Sequence, residues 1–321
     1  MCIRDSYIAE LKVARAFYYY LLLEAFGNVP IIDRFDVPDG YLPATEPRSK
    51  VFEFVESELK NNINNLSEDV LNTYGRFNKW NAKMLLARLY LNAEAWIGTP
   101  MYNECENLCN EIIATNKYRL DGDYSLPFST NNELSNETMF VIPFDETKSG
   151  GQIYMWARKT LHYSQMQPFN LQATWLDGGC VGVPTFFDNY IEGDKRLEKT
   201  WRMGQQYALD GTPLWTNGWC GDPQMLLSYT KDVTNISGDA TMYQGYRFGK
   251  YEIKIGATGT PDNDYVIMRY AEVLMMKAEC ILRTGGSSQE AAELVNEVRR
   301  RNFDTTNELT GSELEATTIY N

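Results

Sequence analysis

Apolar residues recur at helical spacing in two blocks of this chain, one near each end, and the period is lost between them. In the first block Ala9, Val13, Phe17, Tyr20 and Glu24 fall on one line, with Ala14, Leu21 and Ala25 beside it, which predicts an amphipathic helix. Gly27-Asn28 stops that helix and Pro30 forbids its continuation. Phe17, Tyr18, Tyr19, Tyr20 and Phe26 make it dense in aromatic rings, and that density predicts packing on more than one side.

Further helices follow. Ser49 is the expected cap of one whose stripe is Phe52, Val55, Leu59, Ile63 and Leu66. Asn78 is the expected cap of the next, with Ala82, Leu85, Leu86, Leu89, Ala93 and Trp96 on its apolar face and Gly98-Thr99-Pro100 ending it. Tyr102, Cys105, Leu108, Cys109, Ile112 and Ile113 repeat at three and four, which predicts a partner helix joined by a short turn. The pair spans about one tetratricopeptide unit of roughly 34 residues. The design recurs from Asp264 to Asn302. There Ile267, Ala271, Leu274, Ala278 and Ile281 form one stripe, Gly285-Gly286 the turn, and Ala291, Leu294 and Val298 the second stripe. Ser287 with Glu290 reads as a capping box.

The middle, from about Leu120 to Asn263, has no sustained helical period. It is rich in Gly, Pro, Asn, Asp and Trp, with short strands expected at Thr138–Pro143 and Tyr251–Ile255. Irregular segments this long are usually functional and lie across a rigid scaffold. The ligand surface is expected here.

Composition narrows the classes. A net charge of −13 in 321 residues argues against a nucleic-acid partner, which requires a basic footprint. Arg299-Arg300-Arg301 is the one basic run, and it sits where a helix C-terminus favours cations. No stretch approaches the roughly 18 apolar residues that would cross a bilayer. Cys105 and Cys109 read as buried small hydrophobes, whereas Cys180 and Cys220, in the loop-rich middle, are candidates for a disulfide.

The motifs, taken in order, carry a resemblance. Arg15-Ala16-Phe17-Tyr18-Tyr19 with Phe26-Gly27-Asn28-Val29-Pro30-Ile31 resembles the helix signature of the SusD/RagB family, nutrient-binding outer-membrane lipoproteins of Bacteroidetes. The stretch 75–91, GRFNKWNAKMLLARLYL, is similar to that family's next helix, and Tyr118-Arg119-Leu120 closes the unit as its members do. Phe140–Phe144 resembles their short strand, and Phe187, Tyr190, Asp194 and Arg196 the segment before their variable loops. Residues 265–279 with Val295–Arg299 resemble the late helix pair. The likeness runs over residues 7–303. It implies a mostly α fold of tetratricopeptide-like helix hairpins with a large irregular insert and a few short strands. The expected divisions are a helical scaffold over 7–118, a loop-rich ligand-binding region over 119–264 and a helix pair over 265–303. Residues 1–6 read as a non-native start and 304–321 as a truncated C-terminal segment. The lipoprotein signal and lipidated cysteine of the family are not recognisable in this stretch.

The resemblance further implies non-catalytic capture of a glycan at the cell surface, delivered to a SusC-type TonB-dependent transporter, with membrane contact only through a lipid anchor. A protein-binding helical scaffold and a glycan-cleaving enzyme are the alternatives. His162 is the sole histidine and lies beside no nucleophile turn, so hydrolytic triads find no support. No cofactor is expected; a structural calcium at Asp262-Asn263-Asp264 is conceivable, although the spacing makes no EF-hand. The candidate ligand contacts cluster in Thr174–Cys180. There Trp175 offers a stacking face, Asp177 a hydrogen-bond acceptor, and Gly178-Gly179 close backbone approach beside Cys180. Tyr163, Trp215, Trp219 and Arg247 are further candidates, whereas Trp80 and Trp96 belong to helix faces.

Overall fold

The computed structural model describes residues 3–148, 159–166, 168–171, 176, 178–216, 223–234, 241, 243–257, 262–303 and 307–316. Helix α1 (Ile3–Phe26) buries Ala9, Val13, Ala16, Phe17, Tyr20 and Leu23 and packs against α2 (Arg48–Asn62). Gly27 ends α1 at φ 72°, and a Cβ there would meet the Arg48 guanidinium at 2.6 Å. The aromatic residues of α1 divide: Phe17, Tyr19 and Tyr20 turn inward, whereas Tyr18 and Phe26 join Tyr7 and Leu11 on an exposed face. The helix thus packs on one side in this chain, not on several.

Ser49 does not cap α2. Pro47 precedes the helix, and the Asn28 side chain, brought near by the turn after α1, accepts the Arg48 N–H at 2.8 Å. Asn78 does cap α3 (Lys79–Leu91), accepting from the Trp80 and Asn81 amides. Asn81 reciprocates on the Asn78 N–H at 2.9 Å. A break at Asn92 separates a short α4 (Ala93–Ile97), which Gly98 ends in the left-handed region. Helix α5 (Tyr102–Ala114) folds back on α3.

Strands β1 (Val29–Pro30) and β2 (Thr45–Glu46) pair between α1 and α2; β3 (Thr138–Ile142) forms as expected, but the second expected strand does not. Residues Tyr265–Arg269, expected to begin a helix, form strand β8, antiparallel to β3, and Tyr251–Ile255 form no strand. An isolated β3 would leave buried amide groups without partners, and the β-branched run around Val266 supplies them. Tyr251 instead packs edge-on against Phe128 at 5.3 Å, its hydroxyl accepting the Val266 N–H. Helix α6 (Lys195–Thr200) lies in the insert, capped by Asp194. Helix α7 (Tyr270–Arg283) then begins, and α8 (Ser288–Arg300) returns along it, with Ser287 accepting the Glu290 N–H at its start. A short α9 (Gly311–Glu315) packs on α8.

One hydrophobic cluster joins α1, α2, α3, α5 and α7 with β3. Phe140 of β3 stacks on Phe77 at 4.4 Å and meets Phe17 edge-on at 5.7 Å, so the strand is wedged into the helical core. Burying such a ring stabilises by about 1.5–3 kcal/mol. Arg88 of α3 ties the two blocks together, clamping the Glu272 carboxylate of α7 and donating to the Ile267 carbonyl at 2.8 Å. Among the described residues between the blocks lie short ladders: β4 (Trp201–Arg202) with β7 (Arg247–Phe248), and β5 (Gly204–Gln205) with β6 (Ser228–Tyr229).

Candidate functional site

The insert is held together by side chains more than by ladders. His162 starts a single turn of 3-10 helix (Tyr163–Gln165): its Nδ1 accepts the Ser164 N–H at 3.1 Å, and Gln165 Oε1 accepts the His162 N–H at 3.2 Å. The same His162 N–H reaches the Tyr229 hydroxyl at 2.9 Å, and that hydroxyl donates to Gln165 Oε1 at 2.5 Å. Gln165 passes the chain on to Gln206, which donates to the Met203 and Gly204 carbonyls. Burial pushes the Tyr229 phenol up to about 12, against the opposing field of Arg247. A fully satisfied polar chain of this kind rigidifies the loops it links.

Arg247 is the hinge of this arrangement. It is 1% exposed, its guanidinium lies 5.1 Å from the Tyr229 ring centroid, and Nη1 donates to the Gly178 carbonyl. The sequence placed Arg247 among the ligand contacts; buried to this degree, it holds the 178–183 segment from beneath. That segment is also pinned by its backbone. Cys180 donates to the Lys159 carbonyl at 2.8 Å, Val181 bridges to Arg247, and Gly182 donates to the Tyr246 carbonyl at 2.9 Å. Gly182 has no space for a side chain, since a Cβ would sit 2.3 Å from the Phe187 ring. Cys180 itself is exposed and unbridged.

Of the other candidates, Tyr163 is half-buried against Leu161, Leu171 and Leu176, with its ring on His162 at 3.9 Å. Trp215 is 56% exposed on a ribbon in which it bridges to Leu226, while Tyr207, equally exposed, bridges to Pro213. Trp215 and Tyr207 therefore share one ribbon with their rings in solvent. Tyr207 escaped the sequence reading because a lone tyrosine among polar residues carries no signal of exposure. Trp175, Asp177, Trp219 and Cys220 lie outside the described residues. Trp80 is in the core and Trp96 is half-buried edge-on to Tyr20 at 5.7 Å.

Asp194 accepts the Arg196 N–H and pairs with its guanidinium, while Asp188 pairs with Lys231. Asp262 pairs with Lys254, and Asp264 accepts from the Tyr74 hydroxyl and, at 2.8 Å, from the Phe144 N–H. Among the described residues no group of three His, Cys, Asp or Glu side chains is placed to hold a metal ion. No described helix is long and apolar enough to cross a membrane.

Comparison with known proteins places this architecture. The profile of the SusD family matches residues 110–319. The starch-binding protein SusD of Bacteroides thetaiotaomicron is 25% identical over 328 aligned positions, covering 91% of this chain and 57% of that protein. SusD-like protein P38 of Formosa agariphila is 22% identical over 314 positions, covering 92% and 56%. A SusD superfamily structure from Parabacteroides distasonis superposes with a TM-score of 0.72 at 21% identity, over 97% of this chain and 63% of its own. Surface glycan-binding protein A of Bacteroides uniformis superposes with a TM-score of 0.68 at 22% identity, over 97% and 62%. The chain thus spans little more than half the length of the curated relatives it matches.

Proposed function

The chain belongs to the SusD family, and on that premise we propose that it captures a glycan without cleaving it, through the loop-rich insert. The observation that carries this reading is the ribbon bearing Trp215 and Tyr207. Two aromatic rings stand in solvent on a strand pair whose neighbours are locked by the Gln165–Gln206–Tyr229 chain and by Arg247. Solvent-facing rings on a rigid base suit the C–H faces of sugar rings, and little entropy is lost on binding. Trp175, Asp177 and Trp219 are proposed to complete the contact surface, with Tyr163 and Cys180 at its edge and Arg247 as the positioning residue beneath. The relatives' names, a starch-binding protein and a surface glycan-binding protein, agree in ligand class. Delivery to a SusC-type transporter from a lipid-anchored position on the outer membrane is the expected setting.

A glycan array followed by calorimetry on the best ligand tests the proposal. Replacing Trp215 by Ala removes a stacking platform, and an affinity loss of about tenfold, roughly 1.4 kcal/mol, is expected with the thermal midpoint unchanged. The oligosaccharide should be recovered intact after prolonged incubation. Release of shorter products would replace capture by hydrolysis, and a wild-type protein that binds no glycan would remove the reading altogether.

A further inference from the structure

Lys250 is a half-buried cation beside an aromatic ring. Its ammonium sits 3.8 Å from the centroid of the Phe128 ring, and among the described residues no carboxylate comes within ion-pair distance of it. It lines two clefts at once. The first, of about 300 Å³, is walled by Phe128, Phe248, Tyr251 and Tyr265, with Arg269 and Glu272 also lining it. The second, of about 320 Å³, lies on the side of Asp123 and Lys199.

Among the described residues, the charged groups around Lys250 have partners of their own. Arg269 on β8 is bound to Glu137 at 2.8 Å, and Arg301 at the end of α8 takes the other Glu137 oxygen. Glu272 is clamped by Arg88, Asp123 is paired with Lys199 at 3.0 Å, and Glu252 accepts the Thr130 N–H at 2.7 Å. The adjoining β4–β7 ladder places Arg202 directly opposite Arg247, a juxtaposition of like charges that is unfavourable in itself. The aromatic-walled cleft is thus lined by two cations, Lys250 and Arg269, and by one carboxylate, Glu272, which Arg88 holds. Desolvation, reinforced by Arg269 and opposed by the Glu137 carboxylate, pulls the Lys250 amine down to about 8. A desolvated cation facing an open cleft gains most from an anion that arrives with a partner charge.

We propose that the cleft between Lys250, Tyr251 and Tyr265 seats an acidic saccharide unit, with the carboxylate or sulfate of the sugar on the Lys250 ammonium and its ring against the aromatic wall. The inference rests on the glycan-capture reading and narrows it to anionic glycans. The volume accommodates one or two sugar rings.

Reductive ¹³C-methylation gives each lysine its own NMR titration, and Lys250→Arg assigns the signal at this position by removing it. Glucuronate should raise the Lys250 midpoint from about 8 by at least half a pH unit, while glucose at the same concentration leaves it in place. Since the ammonium bears the charge only below its midpoint, affinity for a uronate oligosaccharide should hold below pH 8 and fall above it. Lys250→Gln should weaken that affinity at least fivefold and Lys250→Arg should retain it, with equal thermal midpoints showing that both fold. A Lys250 midpoint indifferent to glucuronate overturns the proposal, whatever the array shows. Binding of neutral oligosaccharides alone, with no gain from a uronate, also overturns it and leaves capture standing. If no oligosaccharide binds, capture fails, and the glucuronate titration still decides the anion seat.

Discussion

At the scale of single residues, Glu137 and Lys250 are the two halves of one electrostatic question. Glu137 is fully buried and carries two guanidiniums, Arg269 and Arg301. Glu137→Gln would leave both cations without a counter-charge in a site already poor in water, so a loss of about 3–5 kcal/mol is expected from denaturant unfolding. A loss below about 1 kcal/mol would mean that water reaches the cluster. The thiols make a complementary prediction. Cys105 and Cys280 face each other between α5 and α7; hydrogen bonding, with Cys109 for the one and Cys105 for the other, and burial hold both thiols above their ordinary range. Cys180 is exposed. A maleimide should label Cys180 in the folded protein and reach Cys105, Cys109 and Cys280 only after denaturation, as mass spectrometry of the digested chain can read. Residue type alone foretold half of this: Cys105 and Cys109 were legible from their place on an apolar stripe. Arg247 was singled out, but its burial beneath a loop was not legible, and neither was Lys250, because nothing local distinguishes an arginine under a loop or a lysine against an aromatic ring from any surface cation.

At the scale of elements, legibility follows the range of the interactions that decide each one. Helix α3 and its cap are written locally, in Asn78, Asn81 and the stripe after them, and the structure has all three. Asn78 is 2% exposed and its side chain also donates to Thr73 at 3.1 Å. Asn78→Ala should therefore cost about 1–2 kcal/mol, the upper part of the range for a lost cap, since the buried Thr73 hydroxyl, which still donates to the Asp69 carbonyl, loses the donor it accepts from. Asn78→Asp, which keeps the accepting oxygen, should recover part of it in the same melt. Helix α2 went otherwise. Its cap, Asn28, lies twenty residues away and is delivered by the turn that Gly27 permits, so no reading of Pro47-Arg48-Ser49 finds it. The strand Tyr265–Arg269 failed for the same reason. Its stripe fits a helix as well as a strand, and the choice is made by β3, more than a hundred residues earlier. The site suffers most, since its ribbons of two residues per strand are fixed by side-chain bonds such as Gln165 to Gln206 and not by any period in the sequence.

At the scale of the whole molecule, the first and last blocks are one body. The core cluster passes without interruption from α1 through α3 and α5 into α7, and Met268, fully buried at the end of β8, belongs to it. Neither block can keep its apolar face from water without the other. The face of α5 formed by Cys105, Cys109 and Ile112 is covered in part by α7, whose Cys280 and Met276 are buried there. The insert, in contrast, is attached through small satellite clusters, one around Leu161 and Leu171 and one around Phe128 and Tyr251. Apolar burial stabilises roughly in proportion to area, so the two regions should differ in local opening free energy. Native-state hydrogen exchange on the intact chain makes this measurable. Amides of α3, α5 and α7 should exchange only through one shared opening, with a common dependence on denaturant. Amides of the Gly204–Gln205 and Ser228–Tyr229 ladder should exchange through openings that are smaller and less denaturant-dependent. If α7 exchanged well before α3, the late helix pair would be an independent unit, and the Arg88–Glu272 clamp would join two folding units where the continuous core implies one.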